Sequence, residues 1–168
     1  ALLSTADRMA IYAEAAPDLA MQAISGLDCD GVTHLVVASC TGFVAPGVDQ
    51  IIARRLGLSP SVERTLVGFM GCYAAVAALR VAHHIVRSEP AARVLVVTVE
   101  LSTLHLQHTD NVESLLAMLQ FADGAAAALV STAPEGLAIG DFFASALPDS
   151  EEMIRWTIGN AGFVMHLS

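Results

Sequence analysis

The sequence predicts an α/β layered fold. Apolar runs of strand length alternate with segments of helical periodicity along most of the chain. The two strongest strand signals, residues 34–39 and 93–100, are apolar on both faces, as in a central sheet covered on both sides. Composition agrees. The chain has 168 residues, 55% of them hydrophobic and 15% charged, which suits one domain with a sizeable core and excludes disorder.

The elements follow in order. Residues 6–24 carry apolar side chains at mostly helical spacing, interrupted by Pro17. A helix is predicted over 18–25, because Pro17 and Asp18 suit a helix start and Gly26 a helix end. The run 34–39 between Gly31 and Gly42 is a buried strand. Pro46 and Gly47 precede a helix over 48–56 that stops at Gly57. A short strand is predicted at 65–68, a long Ala/Val/Leu helix at 73–87, and the second buried strand at 93–100. Residues 111–121 read as a helix. Strands at 124–131 and 136–145 form a hairpin across Pro134-Glu135-Gly136. No repeat and no domain boundary shows before Pro148, where a more charged stretch begins.

Charge and cysteine content narrow the function classes. Seventeen acidic residues face eight Arg and no Lys, for a net charge of −9, which argues against a nucleic-acid partner. No run is long and apolar enough for a membrane span, and no basic segment followed by an apolar one marks a signal peptide. Cys29, Cys40 and Cys72 show no CxxC spacing, which argues against a disulfide framework or a zinc site and for a reducing, cytoplasmic compartment. The chain opens on Ala1 and stops at Ser168 directly after an apolar run, so it is expected to be part of something larger. Its low charge predicts an apolar surface for another chain, or further sequence, to cover.

Cys72 is the candidate nucleophile. It follows a short strand and the dipeptide Met70-Gly71, and it opens a long helix. Gly71 permits a tight strand-to-helix turn. A thiol there meets free backbone N–H groups and the positive end of the helix dipole, which favour the thiolate and suit a developing oxyanion. Local sequence alone leaves a second reading open, that Cys72 is a small buried hydrophobe.

The segment Gly68-Phe-Met-Gly-Cys-Tyr-Ala-Ala-Val-Ala-Ala-Leu-Arg80 resembles the nucleophile segment of type III polyketide synthases, the chalcone synthase-like family. Further matches fall in the family's order. Cys40-Thr-Gly-Phe-Val-Ala-Pro-Gly-Val-Asp49 resembles the loop upstream of the nucleophile in bacterial members, and Arg93-Val-Leu-Val-Val-Thr-Val-Glu100 the strand after the nucleophile helix. Leu119-Gln-Phe-Ala-Asp-Gly-Ala-Ala126 resembles the Leu-Phe-Gly-Asp-Gly-Ala motif, with Ala122 in place of Gly. Ala161-Gly-Phe-Val-Met-His-Leu167 resembles the segment Ala-Gly-Leu-Thr-Phe-His-Leu of plant enzymes. The resemblance covers nearly the whole chain.

The resemblance implies a thiolase-like αβαβα sandwich, about one half of it present, so that residues 1–168 form the nucleophile-bearing part of a condensing-enzyme domain. It implies an acyltransferase acting as a homodimer. Cys72 would take a starter acyl group from coenzyme A as a thioester, and malonyl-CoA would be decarboxylated to an enolate that attacks it. The substrates are coenzyme A thioesters; no cofactor and no metal is implied. Phe121 matches a gatekeeping Phe, although alone it reads as an ordinary core Phe. Cys40, Thr41, Ser102 and His105 align with cavity-lining positions, His105 in place of the plant Thr in a stretch that differs slightly in length. Trp156 aligns near a cavity position that is Gly in chalcone synthases, and Met165 with a second gatekeeping Phe. Asp123 and Gly124 read as structural. Ala45 aligns with the loop residue that reaches into the partner's cavity, and the bond to Pro46 is cis in the family.

One departure stands out. The family's catalytic His and Asn lie in a C-terminal half, and none of the six histidines of this chain sits in a matching motif. His83 and His84 are mid-helix; His105 and His108 have no suitably spaced third metal ligand. Two alternatives therefore accompany the main reading: another thiolase-fold condensing enzyme such as a ketoacyl synthase III, and a non-catalytic remnant of the fold.

Overall fold

In the computed structural model, which describes residues 3–167, helices and strands alternate as expected. Helix α1 spans Thr5–Ile24, strand β1 His34–Ser39, α2 Val48–Arg55, β2 Glu63–Gly68, α3 Ala74–Ser88 and β3 Val94–Leu101. A 3-10 turn at Ser102–His105 leads to α4, Val112–Leu119, and β4, Asp123–Val130. Strands β5, Ile154–Gly159, and β6, Gly162–Leu167, close the fold.

Four strands make one sheet in the order β2-β1-β3-β4. The first three are parallel, and β4 runs antiparallel to β3. Successive side chains of a strand point to opposite faces, so β1 and β3 feed two cores. Leu35, Val37, Leu95, Val97 and Val99 pack under α1 and α2, against Tyr12, Ala16, Ala20 and Ile52. Val36, Ala38, Val94 and Val96 pack under α3, against Ala74, Ala78, Ala82 and Val86. All six residues of β1 are buried, as a doubly covered central strand requires. The small residues of α3 let that helix sit close on the sheet.

Three elements differ from the sequence reading. The first helix does not begin at residue 18. It begins at Thr5, where Ser4 and Asp7 form a reciprocal capping box, and it runs through Pro17. The missing Pro17 N–H costs the Ala13 carbonyl its helical partner, but Pro17 is fully buried, and its burial outweighs the lost bond. The strand predicted over 136–145 is absent. Gly136, Gly140 and Asp141 break the alternation; Ile139 and Phe142 instead lie over α3, with the Phe142 ring against Arg80 and His83. The hairpin lies further on. β5 and β6 pair in their own two-stranded sheet across Asn160-Ala161. Thr5 anchors it: its N–H donates to the Asn160 carbonyl at 2.9 Å, its hydroxyl donates to the Gly159 carbonyl and accepts from Gly162 N–H.

Candidate functional site

A cavity of about 890 Å³ opens where the carboxyl ends of β1 and β3 meet the start of α3, with α4 and the β5–β6 hairpin as its far wall. Ligands of open α/β sheets bind at this end of the strands. Cys72, Cys40, Thr41, Ser102, His105, Phe121, Trp156 and Met165, brought together from six stretches of chain, all line it.

Cys72 sits in the turn between β2 and α3. Gly71 takes the left-handed conformation, φ +79°, which makes the sharp turn possible. The preceding Phe69 also has a positive φ of 54°, an uncommon state for a side chain with a Cβ, and its ring is held between Phe43 at 5.4 Å and Phe163 at 6.0 Å. The sequence reading has Cys72 opening the helix. The structure sets it one residue earlier, with Tyr73 as the N-cap of α3 and Cys72 just outside. Cys72 is exposed to the cavity rather than buried, so it is not a core hydrophobe.

Cys40 faces the same cavity in a different electrostatic setting. Its backbone N–H donates to the Glu100 carboxylate at 2.9 Å, and Thr41 Oγ1 donates to the same group at 2.7 Å. Tyr12 extends this network by donating to Ser39 Oγ at 2.6 Å. Burial, reinforced by the Glu100 charge, pushes the Cys40 thiol up to about 12. Burial likewise pushes the Tyr12 hydroxyl up to about 12, so both groups stay protonated at neutral pH. Glu100 itself reads in the sequence only as the polar end of a strand. Nothing in its spacing shows that Ser39, the last residue of β1, and Cys40 and Thr41 after it converge on it.

His105 is buried and locked. Its Nε2–H donates to the Thr41 carbonyl at 2.6 Å, and Phe163 N–H donates to Nδ1 at 2.9 Å. A carbonyl only accepts and a backbone N–H only donates, so these partners select the neutral Nε2–H tautomer. Burial lowers its pKa. The ring stacks on Phe163 at 4.1 Å and 11°, and meets the Trp156 edge at 5.4 Å and 90°. Trp156 Nε1–H donates to the Cys40 carbonyl at 2.8 Å. Asp123 holds the 3-10 turn that carries His105, accepting from the Thr103 N–H and hydroxyl.

Ala45 and Pro46 lie outside the cavity. Their peptide bond is cis, and Ala45 lines a separate depression of about 300 Å³ with Tyr12, Phe43 and Leu66. Phe43, Leu66, Phe69 and Met70 leave much of their apolar surface exposed around it.

The chain matches known proteins at the level of sequence and of fold. Residues 4–134 match the family described as chalcone and stilbene synthases, N-terminal domain. The alpha-pyrone synthesis polyketide synthase-like Pks18 of Mycobacterium tuberculosis is 35% identical over 175 residues, covering 96% of this chain and 44% of that protein. Germicidin synthase of Streptomyces coelicolor, a type III polyketide synthase, superimposes with a TM-score of 0.92 at 28% identity, over 100% of this chain and 46% of that one. PKS-I of the brown alga Ectocarpus siliculosus gives a TM-score of 0.90 at 36% identity, over 99% of this chain and 47% of that one. The chain thus spans about half the length of these relatives. With a thiolase-like sheet, a cysteine at the turn into its central helix and this match over most of its length, the chain belongs to the chalcone and stilbene synthase family of type III polyketide synthases.

Proposed function

We propose that this protein carries the nucleophile of an acyltransferase that builds a polyketide from coenzyme A thioesters. The observation that carries the reading is Cys72, exposed at a glycine turn ahead of α3 and facing a cavity of about 890 Å³. The Cys72 thiolate attacks the acyl-CoA carbonyl, the C–S bond to coenzyme A breaks, and a Cys72 thioester forms. Of the first N–H groups of α3, those of Ala74 and Val76 donate to the Gly71 and Tyr73 carbonyls at 3.1 and 2.9 Å, which leaves that of Ala75 to suit the oxyanion of that step. Malonyl-CoA then loses carbon dioxide, and its enolate carbon attacks the thioester and releases Cys72.

Phe121 gives the malonyl carboxylate an apolar surround, which favours its loss. Trp156, Met165, Ser102, Thr41 and Cys40 shape the space for the growing chain, which is largely apolar. The protein works as a homodimer, with the 40–49 loop, Ala45 and Pro46 included, at the two-fold axis; the exposed Phe43, Leu66 and Met70 support that placement. The compartment is the cytoplasm, supported by three free cysteines. Among the described residues no helix is long and apolar enough to cross a membrane.

The test is product analysis. The complete gene product, given malonyl-CoA and a panel of acyl-CoA starters, is expected to yield pyrones or ring-closed polyketides by mass spectrometry, and Cys72→Ala to yield none. Products that persist in Cys72→Ala would overturn the assignment.

A further inference from the structure

We infer that His105 is a positioning residue of the cavity: its two ring nitrogens tie the loop after β1 to β6, and so hold the Trp156 wall against the nucleophile side. The inference rests on the acyl-binding reading of the cavity given above.

Two separate sheets meet at this cavity, and among the described residues no backbone ladder joins them. Thr41 belongs to the loop leaving the four-stranded sheet, and Phe163 to the two-stranded one. His105 hydrogen-bonds to both, and rides on β3 through the 3-10 turn. Among the described residues, two side-chain bonds accompany it across the gap near the cavity. They run from Trp156 Nε1 to the Cys40 carbonyl, and from Gln107 Nε2 to the Phe163 carbonyl at 3.2 Å. Both ring nitrogens of His105 are spent on backbone partners, so it has no nitrogen free to move a substrate proton. Its contribution is geometric: a fixed plane on which Phe163 stacks and against which Trp156 stands.

The device depends on a neutral ring. A proton on Nδ1 would set donor against donor at Phe163 N–H. Arg8, reaching from α1 to the Leu104 carbonyl, opposes that proton. Glu100 from β3 and Cys40 lie beyond Thr41, His108 lines the same cavity, and the facing hairpin side chains Trp156 and Phe163 are uncharged.

Trp156 is the only tryptophan of these 168 residues, so the part of the intrinsic fluorescence that is lost in Trp156→Phe reads this wall. In the complete gene product, acidification is expected to quench the fluorescence that Trp156→Phe removes, with a midpoint below the ordinary histidine value of about 6.5. That transition disappears in His105→Phe and in His105→Gln. Long-range nitrogen–proton NMR is expected to show the Nε2–H tautomer at pH 7. His105→Phe, which keeps a ring but strands a carbonyl and an N–H, is expected to raise KM for acyl-CoA on the order of ten-fold with kcat nearly unchanged. His105→Gln, which restores the donor to Thr41, recovers part of that loss. A midpoint at or above 6.5, an Nδ1–H tautomer, or a fall in kcat at unchanged KM would overturn the inference. If the parent protein accepts no acyl-CoA, the acyl-transfer reading fails, while the NMR and fluorescence arms still decide the role of His105.

Discussion

At the scale of single residues, the three cysteines separate by environment. Cys72 is exposed at the cavity, whereas Cys29 and Cys40 are half-buried. Burial raises the Cys29 thiol, and burial with Glu100 raises Cys40 to about 12. A raised thiol pKa leaves less thiolate at neutral pH, and only the thiolate alkylates. Iodoacetamide at pH 7.5 is therefore expected to label Cys72 first by peptide mass mapping, with Cys40 resisting until the pH approaches its raised value. Equal labelling of all three would contradict this. The resemblance carried by Gly68–Arg80 brings out Cys72, and the further matches along the chain bring out the cavity positions, including Trp156 and Met165. Glu100 and the locked state of His105 were not legible. A carboxylate collecting bonds from Cys40 and Thr41, and a histidine between Thr41 and Phe163, are products of tertiary contact between distant segments.

Among the elements, the first helix teaches most. Pro17 reads as a helix start, because proline is tolerated in a first turn and expensive inside. The helix nonetheless starts at Thr5, capped by Ser4, whose side chain accepts from Asp7 N–H while Asp7 accepts from Ser4 N–H. Ser4→Ala removes that box. It is expected to lower stability by roughly 1 kcal/mol, and the melting temperature by about 2–4 °C for a chain of this size. A calorimetric melt unchanged by the substitution would show that the box contributes nothing. Strands β1 and β3 and helices α2, α3 and α4 follow the sequence periodicity to within one or two residues. The hairpin was misplaced, because Leu137, Ile139, Phe142 and Phe143 imitate a strand whose apolar residues are in fact scattered, several of them exposed.

For the whole molecule, the chain offers Cys72 as a candidate nucleophile beside a cavity, and spans about half the length of its relatives. Polyketide formation also needs donors aimed at the enolate oxygen, and losing one such donor costs roughly 3–4 kcal/mol in the transition state. Residues 1–168 by themselves are expected to release no triketide from malonyl-CoA, and product from this chain alone would show that such donors lie within it. The exposed apolar surface around Ala45 predicts a dimer of the complete gene product at micromolar concentration by light scattering, and a monomer would count against the two-fold placement of the 40–49 loop. The central claim is that Cys72 carries the acyl chain. Its most direct test is to mix the complete gene product with an acyl-CoA, quench in acid and map the adduct by peptide mass spectrometry. The account predicts one acyl group, on the peptide containing Cys72 and absent from Cys72→Ala; an adduct on Cys40 or Cys29, or one that survives the substitution, would contradict it.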